Sequence, residues 1–142
     1  MKINKSIAPT RILFAMLRVS DLNASIAFYT NLLGMTELQR ETFSSAKFTA
    51  VYMGYGDKNS ETVLELTHNW ENEGVEHGTA FGNMSLAVDD VFATVDFLKE
   101  QGVKILLPAV KLEMTPDETG YKFTLGHIAD PDGYRIELME MK

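Results

Sequence analysis

The sequence predicts an α+β domain built from two copies of a β-α-β-β-β module. Two apolar, strand-like runs lie in different halves of the chain, Arg11–Val19 and Asn83–Val88. Each run is followed by Ser or Asp, which favour helix N-caps, and then by apolar residues at helical spacing. Three more strand-like runs follow each predicted helix. Two such half-sheets would form a curled mixed sheet around a cleft.

The helices are predicted to end at Gly34 and Gly102, since glycine is the usual residue just after a helix. The remaining strands are predicted from apolar and β-branched residues bounded by turn formers. They are Met35–Thr42, Phe48–Met53 and Thr62–Thr67 in the first module, and Val103–Leu107, Tyr121–Ala129 and Tyr134–Met139 in the second. We therefore expect one domain over residues 11–142, with modules at about 11–70 and 79–142, after an N-terminal tail of residues 1–10.

Composition excludes several classes of function. The net charge is −7 and no basic stripe is present, so the sequence predicts neither a nucleic-acid partner nor an anionic membrane surface. The chain has no cysteine, which excludes disulfides, thiol nucleophiles and zinc–thiolate sites. No apolar run has the length of a membrane span. We expect a cytoplasmic protein.

Two glutamates stand at equivalent places in the last strand of each module. Glu65 lies in Val63-Leu-Glu-Leu66 and Glu137 in Arg135-Ile-Glu-Leu138. Glutamate is rarely buried unless it is paired, so both carboxylates are candidates for a site in the cleft. Alternation along a strand also allows each glutamate to face solvent on a half-exposed sheet. By the same alignment of the modules, Phe14 and Asn83 are equivalent positions.

A strong hairpin signal, Asp130-Pro-Asp-Gly133, places His127 beside Glu137. If Asp130 pairs with Tyr134, the register continues to a direct His127–Glu137 pair, whose Cβ atoms would be about 5 Å apart. This pair can be a cross-strand ion pair, or His127 can be a metal ligand.

Arg18 is unusual because it stands in an apolar strand between Leu17 and Val19. An arginine there can neutralise a carboxylate of the core, or its planar guanidinium can bind the carboxylate of a ligand.

The sequence resembles the glyoxalase I (lactoylglutathione lyase) family of the vicinal oxygen chelate superfamily. The similarity extends from about residue 11 to the C-terminus. It is carried by the segments Met16–Val19, Phe28–Met35, Glu65–Trp70, Gly78–Gly82 and Asp130–Leu138.

The resemblance implies a homodimeric enzyme that isomerises the hemithioacetal of glutathione and methylglyoxal. It also implies a divalent metal, Ni²⁺ or Zn²⁺, and a metal-bound glutamate as the base. Two of the family's four ligands match Glu65 and Glu137, with Glu137 the catalytic residue. The other two positions, which hold nitrogen or amide ligands in the family, are Phe14 and Asn83 here. A remodelled metal site would then consist of Glu65, Glu137, His127 and Asn83.

The resemblance further implies that Arg18 and Asn69 hold the γ-glutamyl end of glutathione. The family also has a positively charged residue that contacts the substrate, after the loop that precedes the seventh strand. Lys122, next to Tyr121, is the candidate for this residue.

Three functions remain open from the sequence. The first is a glyoxalase I-like isomerase with an altered ligand set. The second is a non-catalytic protein of the same fold that binds glutathione conjugates or another small molecule. The third is a dioxygenase or epimerase of the superfamily, although dioxygenases of this kind use two histidines and one carboxylate at iron, and His127 is the one plausible histidine of the cleft.

Overall fold

The structure, a computed structural model, describes residues 1–72 and 74–141 and divides into two compact units, residues 1–74 and 75–142. Each unit has the order β-α-β-β-β and contains a four-stranded mixed sheet. The predicted α+β class and the predicted repeat are therefore confirmed.

In the first unit the sheet has the strand order β1-β4-β3-β2. β1 pairs with β4 in parallel, whereas the β4–β3 and β3–β2 pairs are antiparallel. The elements are β1 (Phe14–Arg18), α1 (Leu22–Ala27), a π-helical segment (Phe28–Leu32), β2 (Thr36–Phe43), β3 (Phe48–Gly54) and β4 (Val63–Asn69).

The second unit repeats this topology with the strand order β5-β8-β7-β6, and β5 pairs in parallel with β8. The elements are β5 (Met84–Val88), α2 (Val91–Glu100), β6 (Ile105–Lys111), β7 (Thr124–Ala129) and β8 (Arg135–Glu140). In both units the last strand is thus an interior strand, with neighbours on both sides.

Both helices begin and end as the sequence predicts. The Asp21 carboxylate accepts a hydrogen bond from the Ala24 backbone N–H at 3.0 Å, and Asp90 accepts one from Ala93 at 3.0 Å. These bonds satisfy amides that have no partner within the helix. Gly34 and Gly102 follow the helices with φ of 71° and 84°, a backbone conformation that glycine adopts without strain.

Each helix covers one face of its sheet and leaves the other face to the candidate site. Leu64 and Leu66 of β4 and Ile136 and Leu138 of β8 are all buried, while the glutamates between them point to the opposite face. In the second unit α2 buries Val91, Val95 and Leu98 and packs against β6, β7 and β8. No helix among residues 1–72 and 74–141 has the length and apolar character needed to cross a membrane.

Two strands begin three residues later than the sequence predicts, and β6 spans Ile105–Lys111 where the sequence predicts Val103–Leu107. β1 begins at Phe14 and not at Arg11; the Arg11 guanidinium reaches across to backbone carbonyls of the loop before β4, including that of Asn59 at 2.9 Å. β7 begins at Thr124 and not at Tyr121; Tyr121 packs edge-on against Phe123 at 4.8 Å.

The first helix also differs from an ordinary α-helix, because it widens into the π-helical segment from Phe28. Tyr29 in this segment is fully buried. The predicted helical spacing of apolar residues therefore holds only up to this point.

We predict that Gly126→Ala destabilises the second unit. An added Cβ would lie 3.1 Å from Val95 Cγ2 of α2, 3.3 Å from the Leu107 carbonyl oxygen and 3.4 Å from Ala109 Cα. Two of these three atoms belong to backbone and cannot move easily, so the free energy of unfolding should fall by about 1–3 kcal/mol.

Urea unfolding followed by circular dichroism measures this change. Gly82→Ala is the control, because no atom lies within 4 Å of an added Cβ there. Equal stability of the two variants would contradict close packing between α2 and β7.

Candidate functional site

The candidate site in each unit lies on the sheet face that the helix leaves uncovered. The interior strands β4 and β8 place Glu65 and Glu137 in the middle of these faces, each with a neighbouring strand on both sides. Opposed residues of neighbouring strands share a face, so the strand register identifies the side chains that surround each carboxylate.

In the second unit Glu137 is flanked by Ser85 of β5 and His127 of β7. The Ser85 hydroxyl donates to Glu137 Oε1 at 2.8 Å, and His127 Nε2 lies 2.9 Å from Glu137 Oε2. The Asn83 side-chain amide donates to the Ser85 hydroxyl at 3.1 Å. The four side chains therefore form one hydrogen-bonded chain.

The His127–Glu137 contact follows from the hairpin that the sequence predicts. Asp130 N–H donates to the Tyr134 carbonyl at 3.0 Å, and the ladder continues to the His127–Glu137 pair. Gly133 has a φ of 85° and its N–H donates to the Asp130 carbonyl, which closes the turn. The predicted register is therefore confirmed, and the two side chains lie within hydrogen-bonding distance, 20% and 16% exposed.

In the first unit Glu65 has different neighbours. Met16 of β1 and Tyr52 of β3 occupy the places that Ser85 and His127 occupy around Glu137. Glu65 is half-buried, and its Oε1 accepts a hydrogen bond from the Thr67 hydroxyl at 3.2 Å. The two glutamates are thus equivalent in the fold but not in their surroundings.

Tyr52 is the residue whose ionisation these surroundings change most clearly. Burial raises the pKa of its hydroxyl from 10.0 to about 12, and a hydrogen bond to Glu41 and the negative charges of Glu65 and Glu41 add to the rise. Tyr52 therefore stays neutral over a wide range of pH and contributes an O–H group to this face.

The predicted substrate residues Arg18 and Asn69 lie on the same face as Glu65. Arg18 is the last residue of β1 and pairs with Thr67, which stands between Glu65 and Asn69 on that face of β4. Arg18 is exposed and Asn69 is half-buried. These three side chains are thus neighbours by register.

Phe14 and Asn83 are equivalent in the structure, as the sequence predicts, because each stands two residues before the residue opposite a glutamate. Phe14 packs edge-on against Tyr52 at 5.3 Å between ring centroids.

A small cavity of about 210 Å³ opens beside this aromatic pair. Its lining includes Leu13 and Val63 and the side chain of Lys58, whose ammonium lies 5.8 Å from the centre of the Tyr52 ring. A cavity of this size accepts a small group and is below the range of pockets for larger ligands.

Lys122 and the histidines other than His127 make contacts of their own. Lys122 forms an exposed ion pair with Glu113 at 2.8 Å. His77 stacks on Tyr134 at 4.2 Å, and His68 Nδ1 lies 3.1 Å from the Val19 carbonyl oxygen, so both histidines have structural contacts. Among residues 1–72 and 74–141, no group of three or more His, Asp or Glu side chains is arranged to hold a metal ion.

Comparison with known proteins identifies the family. The profile described as the Glyoxalase/Bleomycin resistance protein/Dioxygenase superfamily matches residues 11–138, which is most of the chain. The chain belongs to this superfamily. Its relatives include a lactoylglutathione lyase of Neisseria meningitidis, 39% identical over 93% of this chain and 91% of the relative. A probable lactoylglutathione lyase of Vibrio cholerae is 41% identical over the same shares.

Solved structures agree with this assignment. Glyoxalase I of Leishmania major, described as trypanothione-dependent, is 38% identical and superposes with a TM-score of 0.78 over 93% of this chain and 87% of its own. Glyoxalase I of Zea mays is 32% identical with a TM-score of 0.84 over 92% of this chain, which spans 44% of the Zea mays chain. The protein is therefore glyoxalase I-like in sequence and in fold.

Sequence reasoning did not find Ser85 or Tyr52. Both stand opposite a glutamate on a neighbouring strand, and neither is marked by a local motif. The repeat contained a usable signal for Ser85, because the equivalence of Phe14 and Asn83 also aligns Met16 with Ser85.

We predict that ionisation of the Tyr52 hydroxyl lowers the free energy of unfolding at alkaline pH. The folded state holds the Tyr52 proton more tightly than the unfolded chain does. The contribution of Tyr52 to the free energy of unfolding is therefore complete below pH 10 and is lost as the pH rises to about 12. Urea unfolding of the wild type and Tyr52→Phe over this range measures the effect, and the variant should lose part of the decline. An unchanged decline in Tyr52→Phe would show that the hydroxyl ionises normally.

Proposed function

We propose that this chain is a glyoxalase I-like protein that binds a glutathione conjugate of a small carbonyl compound without metal-dependent isomerisation. The observation that carries the proposal is the bonding of Glu137. Both of its oxygens are engaged by side chains of its own unit, Ser85 and His127. These two hydrogen bonds hold the carboxylate in place as a polar group that a ligand can contact.

The side chains at the expected ligand positions do not fit Ni²⁺ or Zn²⁺. These metals take nitrogen, thiolate and carboxylate ligands in closed geometries. The Phe14 side chain has no donor atom, and an amide oxygen such as that of Asn83 is a weak ligand for these metals. The Asn83 nitrogen and both Glu137 oxygens also have hydrogen-bond partners.

The features expected of a thiol-conjugate site are better kept. Relatives at about 40% identity are lactoylglutathione lyases by name, which supports a glutathione conjugate as the ligand. Arg18 and Asn69, which match the family's γ-glutamyl positions, lie on one face with Glu65. A guanidinium on an exposed strand end suits capture of a carboxylate. We propose Lys122 as a further contact of the conjugate.

The cavity beside Phe14 and Tyr52 supports a place for the small apolar part of such a conjugate. Two aromatic rings form its wall and a lysine ammonium stands at the Tyr52 ring. Aromatic rings provide a large apolar contact area with few rotatable bonds.

On the family resemblance, we also propose a homodimer located in the cytoplasm.

A second candidate function is a glyoxalase I-like isomerase with a remodelled metal site. One observation favours it: His127 places a ring nitrogen 2.9 Å from the carboxylate of Glu137. The site would then consist of Glu65, Glu137, His127 and Asn83, with Glu137 as the catalytic base.

We predict that the metal-stripped protein binds S-lactoylglutathione but neither Ni²⁺ nor Zn²⁺. Isothermal titration calorimetry measures each ligand separately, and an assay of lactoylglutathione formation should give only the uncatalysed rate with or without added metal. Tight metal binding that is lost in His127→Ala would establish the second candidate function in place of the first.

The conjugate site has its own matched control. Arg18→Ala should lower the affinity for S-lactoylglutathione by about ten-fold or more, since hydrogen bonds to a charged group contribute about 1.5–3 kcal/mol. Arg40→Ala should leave the affinity unchanged, because Arg40 is an exposed strand arginine that pairs with Glu37. Equal effects of the two substitutions would contradict a specific role of Arg18.

A further inference from the structure

We infer that Ser85 and His127 disfavour divalent cations at Glu137, because a cation must compete with a hydrogen bond from each of them for the two oxygens of the carboxylate. This inference rests on the proposed function, in which the site works without a metal. It goes further by naming two residues, neither of them a match to the family's ligand positions, as determinants of that specificity. Their contacts with Glu137 are 2.8 and 2.9 Å long.

The direction of each hydrogen bond follows from the chemistry of the groups. A hydroxyl has a single hydrogen, and the Ser85 oxygen already accepts from the Asn83 amide, so its hydrogen is free to point at Glu137. An ionised carboxylate can only accept, so His127 Nε2 carries the hydrogen in its contact with Glu137. Asn83 thus orients Ser85, and the two donors together engage both oxygens of the carboxylate.

The strand register makes this arrangement rigid. Ser85 and His127 are the residues directly opposite Glu137 on its two neighbouring strands. The backbone ladder therefore brings both donors to the carboxylate without a long, flexible side chain. The Glu137 side chain is 16% exposed and that of His127 20%, and reduced contact with water strengthens such bonds.

The first unit provides an internal contrast. Around Glu65 the equivalent places hold Met16, whose thioether has no hydrogen to donate, and Tyr52. Donors on both neighbouring strands thus engage Glu137, whereas Met16 has no hydrogen to donate to Glu65. A cation that binds Glu137 must compete with two hydrogen bonds to a charged group, and the loss of one such bond is equivalent to about ten-fold or more in an equilibrium constant.

The test uses a variant in which the two expected nitrogen ligands are restored, Phe14→His/Asn83→His. Into this background the further changes Ser85→Ala and His127→Phe are introduced singly and together. Calorimetric titration with Ni²⁺ should give a dissociation constant that falls about ten-fold for each single change, and further when both are combined. Far-UV circular dichroism verifies that each protein is folded.

The control makes the same types of change away from Glu137. Ser60→Ala/His68→Phe in the restored background should leave the Ni²⁺ affinity unchanged. The Ser60 hydroxyl donates to the Asp57 carbonyl, and His68 lies on the face of β4 opposite to Glu65, with its Nδ1 3.1 Å from the Val19 carbonyl oxygen.

The outcomes separate the inference from the function on which it rests. If the restored protein binds Ni²⁺ equally well with and without Ser85 and His127, or if none of the variants binds it, these residues do not exclude the cation and the inference is wrong. The proposed function is unaffected by that result. If the wild type itself binds Ni²⁺ tightly, the proposed function and the inference both fail.

Discussion

The parallel pairing of the first and last strands determines the surroundings of both glutamates. Because β1 pairs with β4 and β5 with β8, the last strand of each unit becomes an interior strand, and its glutamate is opposed by one side chain on each side. The helix covers the other face, on which leucine and isoleucine side chains of the strand are buried. A shift in register that turned the glutamate toward the helix would expose these apolar side chains. The chemistry of each site therefore depends on two opposing residues.

These opposing residues differ between the two units, so the two glutamates have different hydrogen-bonding surroundings. Glu137 is held by two donors, whereas Glu65 stands between the thioether of Met16 and the side chain of Tyr52. A Ni²⁺ or Zn²⁺ site built on two carboxylates is usually completed by nitrogen ligands. The fold that the chain shares with glyoxalase I places the glutamates, and we propose that the residues around them determine whether such a cation binds.

Much of the fold could be predicted because its signals are local. Asp21 and Asp90 mark helix starts, and the Asp130–Gly133 turn fixes the register that joins His127 to Glu137. Parallel pairing has no such local signal, because distant segments meet without a turn between them, and Ser85 was missed for this reason. The π-helical segment from Phe28 and the late start of β1 depend on tertiary contacts such as those of Arg11.

The bonding of Glu137 can be tested directly by crystallography in the presence of excess Ni²⁺, with anomalous diffraction measured at the nickel absorption edge. We predict that Glu137 keeps its hydrogen bonds to Ser85 and His127, at the 2.8 and 2.9 Å described above, with no anomalous peak beside the carboxylate. A nickel peak at coordination distance from Glu137, with Ser85 or His127 displaced, would contradict it.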